Sequence, residues 1–204
     1  MRRLTSISVL TALAAAFTSV VGVPAYATTI NQNPATEWRL VDESTFSGAI
    51  LEGFEPMEVP DALVEESYIG IERPTDDFRA TPSFHICSPI GHAENPHKSG
   101  SDVSAHGFWY RNNCRNFHAN VRVDLSAFWG NRQTGVGTWI TVAPNSQSIE
   151  AGGGRGNRVT ARTHCYASSH PVSWRNTTDV DVIGERDWPG VQENIQTLYC
   201  APTS

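Results

Sequence analysis

The sequence predicts an all-β protein: an antiparallel sandwich or barrel of about six to eight strands, held by two disulfides and preceded by an acidic N-terminal arm. Three observations carry this. Apolar and polar residues alternate with period two through residues 117–129. Runs of glycine, proline and asparagine punctuate the rest of the second half at short intervals. Cysteine is present in even number, as Cys87, Cys114, Cys165 and Cys200.

The long alternating run places Phe117, Ala119, Val121, Val123, Leu125, Ala127 and Trp129 on one face of a strand and His118, Asn120, Arg122, Asp124 and Ser126 on the other. Phe128 is the exception to the pattern. Shorter strands are expected at 104–110, 138–143, 156–165, 178–184 and 194–200. The turns Gly130-Asn131, Gly135-Val136-Gly137, Gly152-Gly153-Gly154 and Pro189-Gly190 separate them. A short helix is expected at 61–66, capped by Asp61 after Pro60.

Residues 1–27 read as a secretory signal peptide. Arg2 and Arg3 precede an apolar stretch from Ser8 to Val23, which closes on the small-x-small signature Ala25-Tyr26-Ala27. The stretch is broken by Thr11, Thr18, Ser19 and Gly22 and is short for a spanning helix. A secreted, extracellular protein is expected, with no membrane span in the mature chain.

Charge then divides the mature chain. Residues 28–80 hold twelve acids and three bases, whereas residues 81–204 hold nine acids and ten bases. The expectation is an acidic, partly extended arm over 28–80 and a β domain over 81–204. The arm also carries apolar residues that a disordered tail would lack, so part of it is expected to dock. Trp38, Phe46 and Phe54 are the candidate partner-binding anchors. The net charge of −6 argues against a nucleic-acid partner, which would need a basic face.

In an exported chain four cysteines read as two disulfides. They allow three pairings, of which Cys87–Cys114 with Cys165–Cys200 is favoured, each closing a loop worth about 3 kcal/mol in the chain-entropy model. Zinc would need close cysteine or histidine pairs, which are missing. His92, Glu94 and His97 form a loop cluster, but Pro96 excludes the helical display of a zinc protease, and no metal or cofactor is expected. The glycine run at 152–154 lacks the strand-to-helix setting of a phosphate cradle and reads as a hairpin loop. No Gly-x-Ser-x-Gly or Ser-x-x-Lys motif is present, and no catalytic residue is assigned. The acids Asp124, Asp179 and Asp181 fall on outward strand faces.

These readings converge on a secreted, non-catalytic binding or adaptor module for a protein partner. The second reading is an extracellular carbohydrate-binding protein or hydrolase accessory, resting on six tryptophans that would have to line one exposed face.

The stretch AGGGRGNRVTARTHC at 151–165, PVSWRNTTDVDVIG at 171–184 and a terminal strand ending at Cys200 resemble small secreted actinobacterial proteins, largely uncharacterised. The resemblance covers roughly residues 114–200 and implies a secreted β domain without implying an activity. A second similarity, to adaptor subunits of secreted actinobacterial toxin particles, implies a protein partner.

Overall fold

A computed structural model describes residues 38–46, 53–64, 85–187 and 191–203, with the side chains of Thr45 and Phe46 left aside. The signal peptide and Trp188 lie outside the described residues. The strands in chain order are β1 (Arg39–Leu40), β2 (Glu55–Pro56), β3 (Ile90–Ala93), β4 (His97–Ser99) and β5 (Asp102–Tyr110). They continue with β6 (His118–Asn131), β7 (Val136–Glu150), β8 (Val159–Val182) and β9 (Gln192–Pro202). The one α-helix among the described residues, α1, spans Asp61–Val64, inside the expected segment.

The protein is mostly β, as the alternation implies, and its nine strands form one curled sheet, a half-barrel. The order along the sheet is β1-β7-β6-β8-β5-β3, with β2 on β6, β4 on β5 and β9 on β8. A purely antiparallel sheet was the expectation, and the sheet is mixed: Arg39 and Leu40 run parallel to Val136 and Gly137. Parallel neighbours need a long connection, and here all of β2 to β6 lies between them in the chain. The extra strands have two to four residues each. Such segments are too short to show a period.

β8 organises the sheet. Its first part, from Val159 to His164, pairs with β5. Its last part, from Trp174 to Val182, pairs with β6, and β9 runs along its other edge. The two expected strands at 156–165 and 178–184 are thus ends of a single strand of 24 residues. The register slips between Ala167 and Val172, where Pro171 withholds a backbone donor. The wing carrying β5 folds back over β6 and β8. Contact is so close that a Cβ on Gly107 would stand 2.5 Å from side-chain atoms of Val123 and Thr178.

The core fills the space between the wings. Val121, Val123 and Leu125 of β6, Val103 and Trp109 of β5, and Val172, Trp174 and Val182 of β8 have no accessible surface. Asn176 ties the layers, donating from Nδ2 to the carbonyls of Glu94 at 2.7 Å and His106 at 2.9 Å. Two buried indoles find acceptors, Trp174 donating to the Cys200 carbonyl at 2.9 Å and Trp109 to that of Ile149 at 3.3 Å, whereas the buried indole nitrogens of Trp129 and Trp139 have none. The disulfides are Cys87–Cys114 and Cys165–Cys200, the favoured pairing.

A second apolar cluster covers the opposite face of β6 and explains why Phe128 breaks the alternation. Phe128 and Trp139 pack edge to face there with Met57, Val59 and Leu63 from the acidic segment. The β6–β8 ladder stops at the pair Ala127–Trp174. Residues 55–59 fill the opening beyond it. The Met57 amide donates to Phe128 O at 3.0 Å, the Ser173 amide to Met57 O at 3.1 Å, and the Val59 amide to Ser173 Oγ at 3.0 Å. This part of the segment was expected to lie in an arm docking through Trp38, Phe46 and Phe54. Within it Glu55–Pro56 is a strand of the sheet, and Met57 and Val59 continue the hydrogen bonding to β6 and β8.

Leu63→Ala should therefore lower global stability by about 2–5 kcal/mol, the cost of a cavity in a packed core, as read by chemical denaturation. Gly107→Ala should also destabilise, by about 1–3 kcal/mol, because neither Val123 nor Thr178 has room to move away. Wild-type stability in either variant would mean that these contacts do not persist in solution.

Candidate functional site

Three loops meet at the end of the half-barrel where β5 finishes and β6 begins: residues 85–89, 111–117 and 183–187. They are cross-tied by several independent links. Cys87–Cys114 joins the first two covalently. Asn113 Oδ1 accepts from the Ser88 amide at 2.7 Å, and Asn112 Nδ2 donates to the Ser88 carbonyl at 2.9 Å. The Cys87 amide donates to Arg186 O at 3.0 Å. Glu185 closes the set: its Oε1 accepts from the amides of Arg115 and Asn116 at 2.6 and 2.5 Å. Its Oε2 faces His85 Nε2 at 3.8 Å. Loops tied this way present their side chains with little ordering cost on binding.

Between the loops lies an open cleft of about 590 Å³, lined by His85, Arg115, Asn116, Ile183, Glu185 and Arg186 among others. Apolar side chains stand around it. Phe117 is 58% exposed, and the Arg111 guanidinium lies 4.2 Å above its ring. Ile183 is exposed beside it, its amide donating to the carbonyl of His118. On the adjoining edge Ile90 and Tyr110 face each other across β3 and β5, and both are exposed.

The charges at this end are arranged unevenly. Elsewhere Arg122, Arg132, Arg158, Arg162 and Arg175 each lie against a carboxylate, while Arg39 and Arg155 have no such partner among the described residues. Arg111, Arg115 and Arg186 have no such partner among the described residues. Of the nearby acids, Glu185 bonds backbone amides as above and Asp187 accepts from the Val182 amide at 2.6 Å, while Glu150 is exposed and faces His118 at 3.6 Å. Sequence reading passed over this end because its residues are irregular loops, brought together only by the disulfide and the return of β8.

The other residues singled out from the sequence fall elsewhere. Trp38 packs half-buried on the second cluster, over Gly130, and is occupied by the chain itself. Phe54 is half-buried, and the side chain of Phe46 lies outside the described residues. Trp109, Trp139 and Trp174 are buried, and Trp129 packs against the core, so the described tryptophans do not form an exposed platform. His92 stacks on Phe108 with ring centroids 4.5 Å apart, Glu94 faces Arg158 at 3.9 Å, and His97 leans against His106 at 5.2 Å. No group of three His, Cys, Asp or Glu among the described residues is placed to hold a metal ion.

Asp102 accepts from Arg162 Nε at 2.7 Å and meets His164 Nδ1 at 3.2 Å. The hydrogen bond from His164, then the Arg162 charge, hold its carboxyl below the ordinary value. Ser101 Oγ also donates to this carboxylate, at 3.3 Å. In a nucleophilic triad the hydroxyl must meet the imidazole instead. Among the described residues no serine hydroxyl hydrogen-bonds a histidine ring. No protein-family model, curated protein or solved structure matches this chain, so nothing is added to the resemblance noted over residues 114–200.

His106 is buried on the outer face of β5, where its Nδ1 and Thr160 Oγ1 are 2.7 Å apart. Burial, then the Arg158 charge, with lesser contributions from His97 and Arg162, push its pKa below the ordinary 6.5, against the pull of Glu94. The folded state therefore binds fewer protons at this ring than the unfolded chain does. Its contribution to stability is complete above pH 6.5 and declines as the pH falls through that value. Thermal melts between about pH 7 and about pH 5 should show this loss, and His106→Gln should flatten the profile. An unchanged slope in the variant would place the acid sensitivity elsewhere.

Proposed function

We propose that this chain is a secreted, non-catalytic binding module that docks on a protein partner through its disulfide-locked end. The observation that carries the reading is that exposed Phe117 and Ile183 share cross-tied loops with Arg111, Arg115 and Arg186, and that Ile183, Arg115 and Arg186 line the cleft between them. Aromatic side chains and arginine are the residues enriched at protein interfaces, and a few such anchors in a pre-ordered patch carry most of the binding energy. Two disulfides and the Ala25-Tyr26-Ala27 signature support work outside the cytoplasm, where such bonds persist.

The test is co-purification from culture medium with a stable partner. The native protein should elute as a complex. Phe117→Ser with Ile183→Ser should release the partner while leaving the melting temperature within a few degrees of wild type, because both residues are exposed and outside the buried core. Elution of the native protein alone, at its own mass, would refute the reading.

A further inference from the structure

We infer that the cleft at the disulfide-locked end receives an extended, carboxylate-rich segment of the partner protein, seated by apolar residues against Phe117 and Ile183. The inference rests on the binding-module reading above and specifies the chemistry of what is bound.

Charge complementarity selects this occupant. The acidic excess of the chain lies in residues 28–80, whereas residues 81–204 hold nine acids and ten bases, so the charge met by a ligand at this end is set locally. Arg115 and Arg186 are exposed cleft residues, and Arg111 lies next to them over Phe117. None of the three has a carboxylate partner among the described residues. The two acids closest in sequence are partly engaged: Glu185 Oε1 and Asp187 Oδ2 accept from backbone amides, and Glu185 Oε2 faces His85. What faces solvent is therefore guanidinium, whose planar donors match carboxylates in pairs.

A basic ligand would meet these arginines directly and is excluded on the same ground. A small anion would use the arginines but leave Phe117 and Ile183 in water. A segment bearing both carboxylates and apolar side chains satisfies both features. An extended peptide suits an open cleft.

The probe is a fluorescent peptide alternating Glu with Leu, compared with its Lys/Leu counterpart, measured by anisotropy against the secreted protein. The Glu/Leu peptide should bind, and raising the salt from about 0.05 to about 0.5 M should weaken it about tenfold or more. R115E/R186E should weaken it by about tenfold or more at low salt, with an unchanged melting temperature. R122E, on an outward face of β6 and paired with Asp124, should bind as wild type does.

Equal binding of the Lys/Leu peptide, or wild-type affinity in R115E/R186E, would overturn the assignment. So would a gain of about tenfold in E65Q/E66Q/D76N/D77N, which would mean that the chain's own acidic segment takes the place assigned to the partner. A natural partner that still co-purifies with R115E/R186E, yet is lost with Phe117→Ser and Ile183→Ser, would refute the acidic segment alone. The binding-module reading would then stand.

Discussion

The structure depends on the change of partners along β8. One strand cannot pair with β5 and β6 on the same edge at the same height, so its two ends serve different wings. The bend between them sits at the register slip from Ala167 to Val172, and the Cys165–Cys200 bridge joins β8 to β9 at its start. With the bend in place, β5 lies over β6 and the core between them is shut. Gly107 records how near the layers come. Asn176 donates across the layers to the carbonyls of Glu94 and His106, adding a side-chain tie to the backbone ladders.

The same parting of strands creates the need for the segment at 53–64. Beyond Ala127 and Trp174 the facing edges of β6 and β8 would expose unpaired backbone groups, a costly feature in any sheet. Residues 55–59 supply donors and acceptors to both edges, and Met57, Val59 and Leu63 then bury Phe128 and Trp139. Acidic composition and structural integration are compatible here because the charges point away. Glu55, Glu58 and Asp61 are exposed, whereas the apolar residues between them face the sheet. Glu55 meets Arg132 at the surface, at 3.0 Å.

At the opposite kind of place, the loop end, carboxylates do a backbone's work. Glu185 terminates the amides of Arg115 and Asn116, and Asp187 that of Val182. Acids used this way stabilise a turn, and among the described residues the neighbouring arginines have no ion-pair partner. A rigid loop cluster with outward guanidinium and exposed aromatic groups follows directly from satisfying the inner hydrogen bonds first.

How much of this the chain reveals before folding is decided by the range of the interactions involved. Strand period is local, so the inner face of β6 from Ala119 to Ala127 and the turn at Gly152–Gly154 were legible from residue order. The disulfide pairing was legible too, because loop lengths favour it. The merging of 156–165 and 178–184 into one strand was not, since the residues between carry a proline and no clean alternation. Nor was the purpose of Phe128, whose burial comes from Met57 and Leu63, far away in sequence. The candidate site lies wholly on the second side of this division. Arg111, Arg115, Arg186, Phe117 and Ile183 have no common period or spacing, and only the bridge at Cys87 and the return of β8 bring them together. The sequence by itself determined a disulfide-stapled β protein, because alternation and cysteine count act over short range. The tertiary structure decided which acids are consumed by backbone amides and which arginines are left facing solvent, because that depends on contacts between distant loops.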